Sequence, residues 1–153
     1  MSLPELQPYC FEFQRRVEFS ETDMAGIMHF SNFYRFMESA EHAFFRSLDY
    51  GIHQKIDGET VGWPRVHSSC DFFRPVRFED TVMMRLTIEE IRRCSVRYIH
   101  TFLLGGGNDT AVVASGRMTT ACVRLDRTLG KIESINIPDE LRGKLETAKA
   151  TQE

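Results

Sequence analysis

The sequence has no apolar run near the roughly 20 residues that a helix needs to cross a bilayer, so no membrane span is expected. The first ten residues, Met1 to Cys10, carry neither a basic n-region nor an apolar h-region, so no signal peptide is expected. Cysteines number only 4, scattered at Cys10, Cys70, Cys94 and Cys122. No C-x-x-C spacing occurs, which removes the common zinc and redox motifs and leaves reduced thiols in a cytoplasmic protein as the simplest expectation. No strong basic excess is present. The net charge is −3, so nucleic acid is a poor partner class. Lysine is scarce too, with 4 lysines against 15 arginines. A planar guanidinium suits phosphate and carboxylate, although codon preference gives the same bias. Internal repeats and low-complexity segments are absent.

What is present fits one domain over 1–153, with a core over about 10–125. Residues 11–19 alternate, Phe11, Phe13, Val17 and Phe19 opposing Glu12, Gln14, Arg16 and Glu18, which predicts a half-buried strand. Residues 20–30 read as a loop holding Gly26. Ser31 and Asn32 are N-cap types. After them Phe33, Phe36, Met37, Ala40, Phe44 and Leu48 recur every three or four residues, predicting a helix of about five turns that ends near Gly51. Four more strands are expected near 65–73, 81–92, 95–104 and 111–125. Gly105-Gly106-Gly107 falls between two of them, as a hairpin loop rather than a phosphate loop. Pro138 opens a last helix over about 138–148, with Leu141, Leu145 and Ala148 facing the body and Thr147 to Glu153 frayed. Strand, long helix, then closely linked strands predicts a two-layer α+β domain with a five-stranded antiparallel sheet.

Thr22-Asp23-Met24-Ala25-Gly26-Ile27-Met28-His29-Phe30-Ser31-Asn32-Phe33 closely resembles the active-site segment of the 4-hydroxybenzoyl-CoA thioesterase family. Phe72-Phe73-Arg74-Pro75-Val76-Arg77-Phe78-Glu79-Asp80 resembles that family's strand-Pro hairpin. The resemblance spans about residues 10–125. It implies a hotdog fold, a curved antiparallel sheet wrapped around a long central helix, and hydrolysis of an acyl-CoA thioester. It also implies a homodimer or homotetramer with active sites at the subunit interface. Coenzyme A enters as part of the substrate, and no cofactor is implied. Two departures are visible: Glu21 stands where many relatives have Asp, and Phe30 where some have His or Tyr.

Thioester hydrolysis needs a group that attacks, or activates water to attack, and a site for the oxyanion. The resemblance assigns the first task to Asp23, as nucleophile or general base, and the second to the backbone N–H of Phe30. His29 adjoins this donor and is placed to contact the substrate or Asp23. Gly26 gives positive φ or close approach of the acyl group. Asn32 caps the helix or contacts Asp23 at the substrate site, with the cap the favoured reading. Phe30, Phe33, Tyr34, Trp63 and Phe72 are candidates for an aromatic pocket wall. Arg92, Arg93 and Arg97, near a strand end, are candidates for the coenzyme A phosphates. Glu38 or Glu41 is the reserve carboxylate. Their spacing with His42 matches no metal motif, so no metal is expected. Two other readings stay open: a hotdog hydratase or dehydratase, disfavoured by the lack of Gly-His-Phe-Pro, and a non-catalytic module that binds acyl-CoA or acyl-carrier protein.

Overall fold

The computed structural model describes residues 11–56, 58–105 and 109–152. Expectations for Met1 to Cys10, Gly106, Gly107 and Glu153 lie outside the described residues. Strand β1 (Phe11–Arg16) is shorter than expected: the chain leaves the sheet and makes a 3₁₀ turn at Phe19–Glu21. Phe19, expected on the buried face, is therefore exposed and stacks edge-on against Phe78.

Helix α1 (Ser31–Ser47) buries Phe33, Phe36, Met37, Ala40 and Phe44, as the spacing predicts, and also Glu41 and Phe45. It stops before Gly51. Asp49 takes the left-handed conformation (φ 55°), and Tyr50 N–H and Asp49 N–H donate to the carbonyls of Phe45 and Arg46. This is a Schellman ending, with the Tyr50 ring packed on Phe45. The sequence reading favoured glycine because the left-handed region costs it nothing. Here two captured carbonyls offset the cost for an aspartate.

The main sheet is five-stranded and antiparallel, in the order β1-β5-β6-β7-β4. Its other strands are β4 (Arg65–Phe72), β5 (Thr81–Ile91), β6 (Ser95–Leu104) and β7 (Ala111–Ala121). β6 and β7 are paired neighbours, so the glycine-rich connection does join a hairpin. At Gly116 a Cβ would come within 2.5 Å of Met37 Sδ, so the missing side chain lets α1 lie close on the sheet. α1 packs against β5 and against both edge strands, β1 and β4, so the sheet curves around one side of the helix, while Arg35, Glu38 and Arg46 remain exposed on the other.

A second sheet, absent from the sequence reading, has the order β2-β3-β8-β9: β2 (Gln54–Ile56), β3 (Glu59–Gly62), β8 (Val123–Asp126) and β9 (Lys131–Ser134). The strand expected over 111–125 breaks at Cys122, where the chain passes from one sheet to the other. Helix α2 (Asp139–Gln152) runs beyond the expected 148 and is not frayed at 147–152. The buried Gln152 side chain accepts a hydrogen bond from Ile88 N–H at 2.9 Å, which ties the helix end to β5. Leu141 and Leu145 are buried, and Ala148 packs against the same core. No described helix is long and apolar enough to cross a membrane.

Candidate active site

Glu21 anchors the segment that precedes α1. Its carboxylate meets Arg15 of β1 at 2.8 Å and accepts from Glu18 N–H at 2.9 Å. Arg15 in turn donates to Ser39 and lies over the Phe36 ring. The Glu21 carbonyl accepts from His29 N–H and from Asn32 Nδ2. Side chain and carbonyl together clamp both ends of a closed loop. Inside it Thr22 bridges to Met28, and Asp23 N–H donates to the Ile27 carbonyl. Asp23 Oδ1 accepts from Ala25 N–H at 2.8 Å, and Gly26 closes the turn at φ +76°.

Met28 N–H donates to the Val76 carbonyl, so the loop docks on the Phe72–Asp80 segment. The two sequence motifs, some fifty residues apart, thereby form one cavity of about 410 Å³. Asp23 and Arg74 are its ionisable lining residues; the rest is apolar, including Phe30, Phe33, Phe72 and Val76. Of the five aromatic candidates, Phe30, Phe33 and Phe72 line this cavity. Trp63 is buried elsewhere, against Phe45, and Tyr34 packs on the core without lining the cavity.

The start of α1 departs from the expected capping. Asn32 is buried and bonds the Glu21 carbonyl, so it neither caps the helix nor contacts Asp23. His29 serves the first turn instead: its Nδ1 accepts from Ser31 N–H at 3.3 Å and lies 2.7 Å from Ser31 Oγ. Accepting at Nδ1 leaves the neutral ring's proton on Nε2. Asn32 and Phe33 donate to the carbonyls of His29 and Phe30, while Phe30 N–H has no acceptor among the described residues. A free N–H at the first turn is an anion donor.

The arginine cluster lies elsewhere. Arg92 and Arg93 sit in the β5–β6 turn, where Arg142 holds both carbonyls. Arg92 pairs with Glu90, Arg93 with Asn136, and Arg97 with Glu89 and Glu90. The cavity adjoins the opposite, Thr81 end of β5, so the length of that strand, about 35 Å at 3.3–3.4 Å per residue, separates cluster and cavity within one chain.

The reserve carboxylates point away from the cavity. Glu38 is half exposed beside His42 and Arg65. Glu41 is fully buried and paired with Arg65 at 3.1 Å. Burial pushes its carboxyl up to about 7, against the opposing pull of Arg65. Glu41 Oε1 and both His100 nitrogens are buried in the same region without a partner among the described residues, and the Tyr98 and Thr120 hydroxyls interact beside them. Burial, with Arg65 beside it, lowers the His100 imidazole to about 3.

Sequence reasoning missed Glu21 as the anchor and Arg74 as cavity lining. The Phe72–Asp80 motif is the signal for Arg74, but its resemblance to the family's strand-Pro hairpin carries no assignment for that side chain. Nothing in the sequence places a carbonyl at residue 21 opposite a donor at residue 32.

Comparison with known proteins gives a family model, described as the thioesterase-like superfamily, that matches residues 17–145. The chain is 27% identical to a 1,4-dihydroxy-2-naphthoyl-CoA hydrolase of Thermosynechococcus vestitus, over 90% of this chain and 89% of that protein. It is 28% identical to a 4-hydroxybenzoyl-CoA thioesterase of Pseudomonas sp., over 58% of this chain and 64% of that protein. A solved gentisyl-coenzyme A thioesterase superposes with a TM-score of 0.74 at 30% identity, covering 88% of this chain and 98% of that one.

Proposed function

The chain belongs to the thioesterase-like superfamily of thioester hydrolases, and on that premise we propose that it cleaves an acyl-CoA to free acid and coenzyme A at the Asp23 cavity. The observation that supports this reading is the cavity itself: Asp23 and Phe30, whose N–H at the helix start has no acceptor among the described residues, line one space with apolar walls of acyl size.

The thioester carbonyl carbon lies at Asp23 and its oxygen at Phe30 N–H. As the carbonyl is attacked, negative charge collects on that oxygen, where a fixed donor in an apolar cavity stabilises it. Asp23 has two routes. As nucleophile its carboxylate oxygen bonds the carbonyl carbon, the C–S bond breaks, and the coenzyme A thiolate leaves. Water then hydrolyses the mixed anhydride. As general base Asp23 takes a proton from water, the resulting hydroxide adds to the carbon, and the proton returns to the departing sulfur. His29 holds the first turn of α1 in the form that leaves Phe30 N–H free, and is a positioning residue. In this proposal the protein acts as a homodimer or homotetramer, for which the edges of β1 and β4 in the main sheet, unpaired among the described residues, are the support.

The test is Asp23→Asn, which keeps size but loses the basic, nucleophilic oxygen. Turnover of acyl-CoA is expected to fall at least about 10²-fold with binding retained. Glu38→Gln and Glu41→Gln run in parallel. Near-normal turnover by Asp23→Asn, with loss in either glutamine variant, moves the chemistry to α1.

A further inference from the structure

Within the hydrolysis reading above, we propose that Arg74 determines specificity, by binding an anionic oxygen at the far end of the acyl group. Eight described arginines find carboxylates within the chain: Arg15, Arg65, Arg85, Arg92, Arg97, Arg117, Arg124 and Arg142. Arg74 lines the cavity, and its guanidinium makes no hydrogen bond or ion pair with the described residues. Its main chain is nevertheless fixed. Arg74 N–H donates to the Val113 carbonyl at 3.1 Å, the preceding Phe73 N–H shares that acceptor at 2.8 Å, and Pro75 follows. The side chain therefore starts from a fixed point on the cavity wall.

Arg74 and Asp23 line the same cavity, yet no contact within 4.0 Å joins them. Arg74 is exposed, so its guanidinium is open to water. An acyl group that fills the cavity displaces that water. A neutral acyl group covers the cation without replacing its hydrogen bonds, which is costly. An acyl group that ends in a carboxylate or ionised phenol replaces them with charge-assisted bonds in a fork that suits two oxygens. The carbonyl end then lies at Asp23 and the anionic end at Arg74, which fixes the orientation of the acyl group. An anion at the other end would face Asp23, a like charge.

Benzoyl-CoA and 4-carboxybenzoyl-CoA differ only in the distal carboxylate. The wild-type protein is expected to prefer the carboxylated substrate in kcat/KM. Arg74→Gln and Arg74→Ala should reduce the ratio of the two kcat/KM values by about tenfold or more, the size of a lost charged hydrogen bond, and Arg74→Lys should restore part of it. The same pair as N-acetylcysteamine thioesters, which lack the nucleotide, should show the same change in ratio. If Arg74→Gln weakens both coenzyme A substrates equally and the effect vanishes on the truncated ones, Arg74 reads the coenzyme A phosphates and the proposal is wrong. Calorimetric binding of the two thioesters to Asp23→Asn, with and without Arg74→Gln, separates this from the fate of the hydrolysis reading. A preference for the carboxylated thioester that depends on Arg74 upholds the proposal even if wild type turns over neither. Equal binding of the two overturns it even if both are hydrolysed.

Discussion

Gly26 turns the Asp23 loop at φ +76°, and a Cβ built there meets nothing within 4 Å. A Cβ there is thus limited by backbone strain alone. Gly26→Ala is expected to cost about 1–2 kcal/mol in urea unfolding, the usual cost of a left-handed L-residue, and Gly26→Asn less, because Asn tolerates that region. Equal losses for Ala and Asn would show that something other than φ limits the site. The same loop explains why Asp23 was legible in the sequence and its surroundings were not. The motif stands in the twelve consecutive residues Thr22 to Phe33, whereas the role of Asn32 was not legible because capping is a statistical habit of residue type. Its amide found the Glu21 carbonyl, eleven residues back and visible only in three dimensions.

Glu41 on α1 and His100 on β6 are buried in one polar patch with Arg65 of β4 and Tyr98 of β6, and Glu38 adjoins it from α1. Their titrations oppose each other. Glu41 is raised from 4.5 to about 7, so the folded state binds its proton more tightly. The resulting stabilisation is full below pH 4.5 and is lost as pH rises to about 7, on the order of 3 kcal/mol at 1.36 kcal/mol per unit. His100 is lowered from 6.5 to about 3, so the unfolded state takes its proton first. Its contribution is full above pH 6.5 and is lost as pH falls toward 3. Between about pH 4.5 and 6.5 the two slopes cancel, and stability should be nearly flat. Urea unfolding of Glu41→Gln should fall in stability as pH drops from 7 to 5, and that of His100→Gln should fall as pH rises over the same span. A wild-type slope as steep as either variant's would sink the assignment. Sequence periodicity marked α1 and β6 but gave no sign that a glutamate and a histidine share their buried faces. Short strands were missed for a related reason. β2, β3 and β9 have three or four residues each, too few for alternation to show; β2 and β9 are also mostly exposed, while β3 buries Val61 and Gly62 side by side.

At the scale of the whole molecule, the main sheet ends in β1 and β4, each paired on one side only among the described residues. Val66 in β4 is 63% exposed, and Phe30 and Phe72 show apolar surface at the cavity mouth. Open strand edges beside exposed aromatic rings suit pairing with a second copy. Light scattering at micromolar concentration is expected to give an even multiple of 17.7 kDa. A monomer with full turnover would rule out the shared site. Assembly also bears on Arg92 and Arg93: in a single chain they lie a full strand away from Asp23, so a role at the coenzyme A phosphates requires a partner's turn to reach the cavity.

The sequence by itself determined the α+β class, the antiparallel main sheet, the buried face of α1 and, through two motifs, the thioesterase family. These are written in local periodicity and contiguous residues, which the chain carries wherever it folds. Only the tertiary structure decided that the two motifs meet through the Met28–Val76 hydrogen bond, that Glu21 clamps the loop, and that Arg74 faces the same cavity as Asp23 while Arg92 and Arg93 do not. It also decided that β7 ends at Cys122 and a second sheet begins. Each of these joins residues far apart in sequence, and local pattern holds no record of such pairings because packing and backbone hydrogen bonding fix them only when the chain closes on itself.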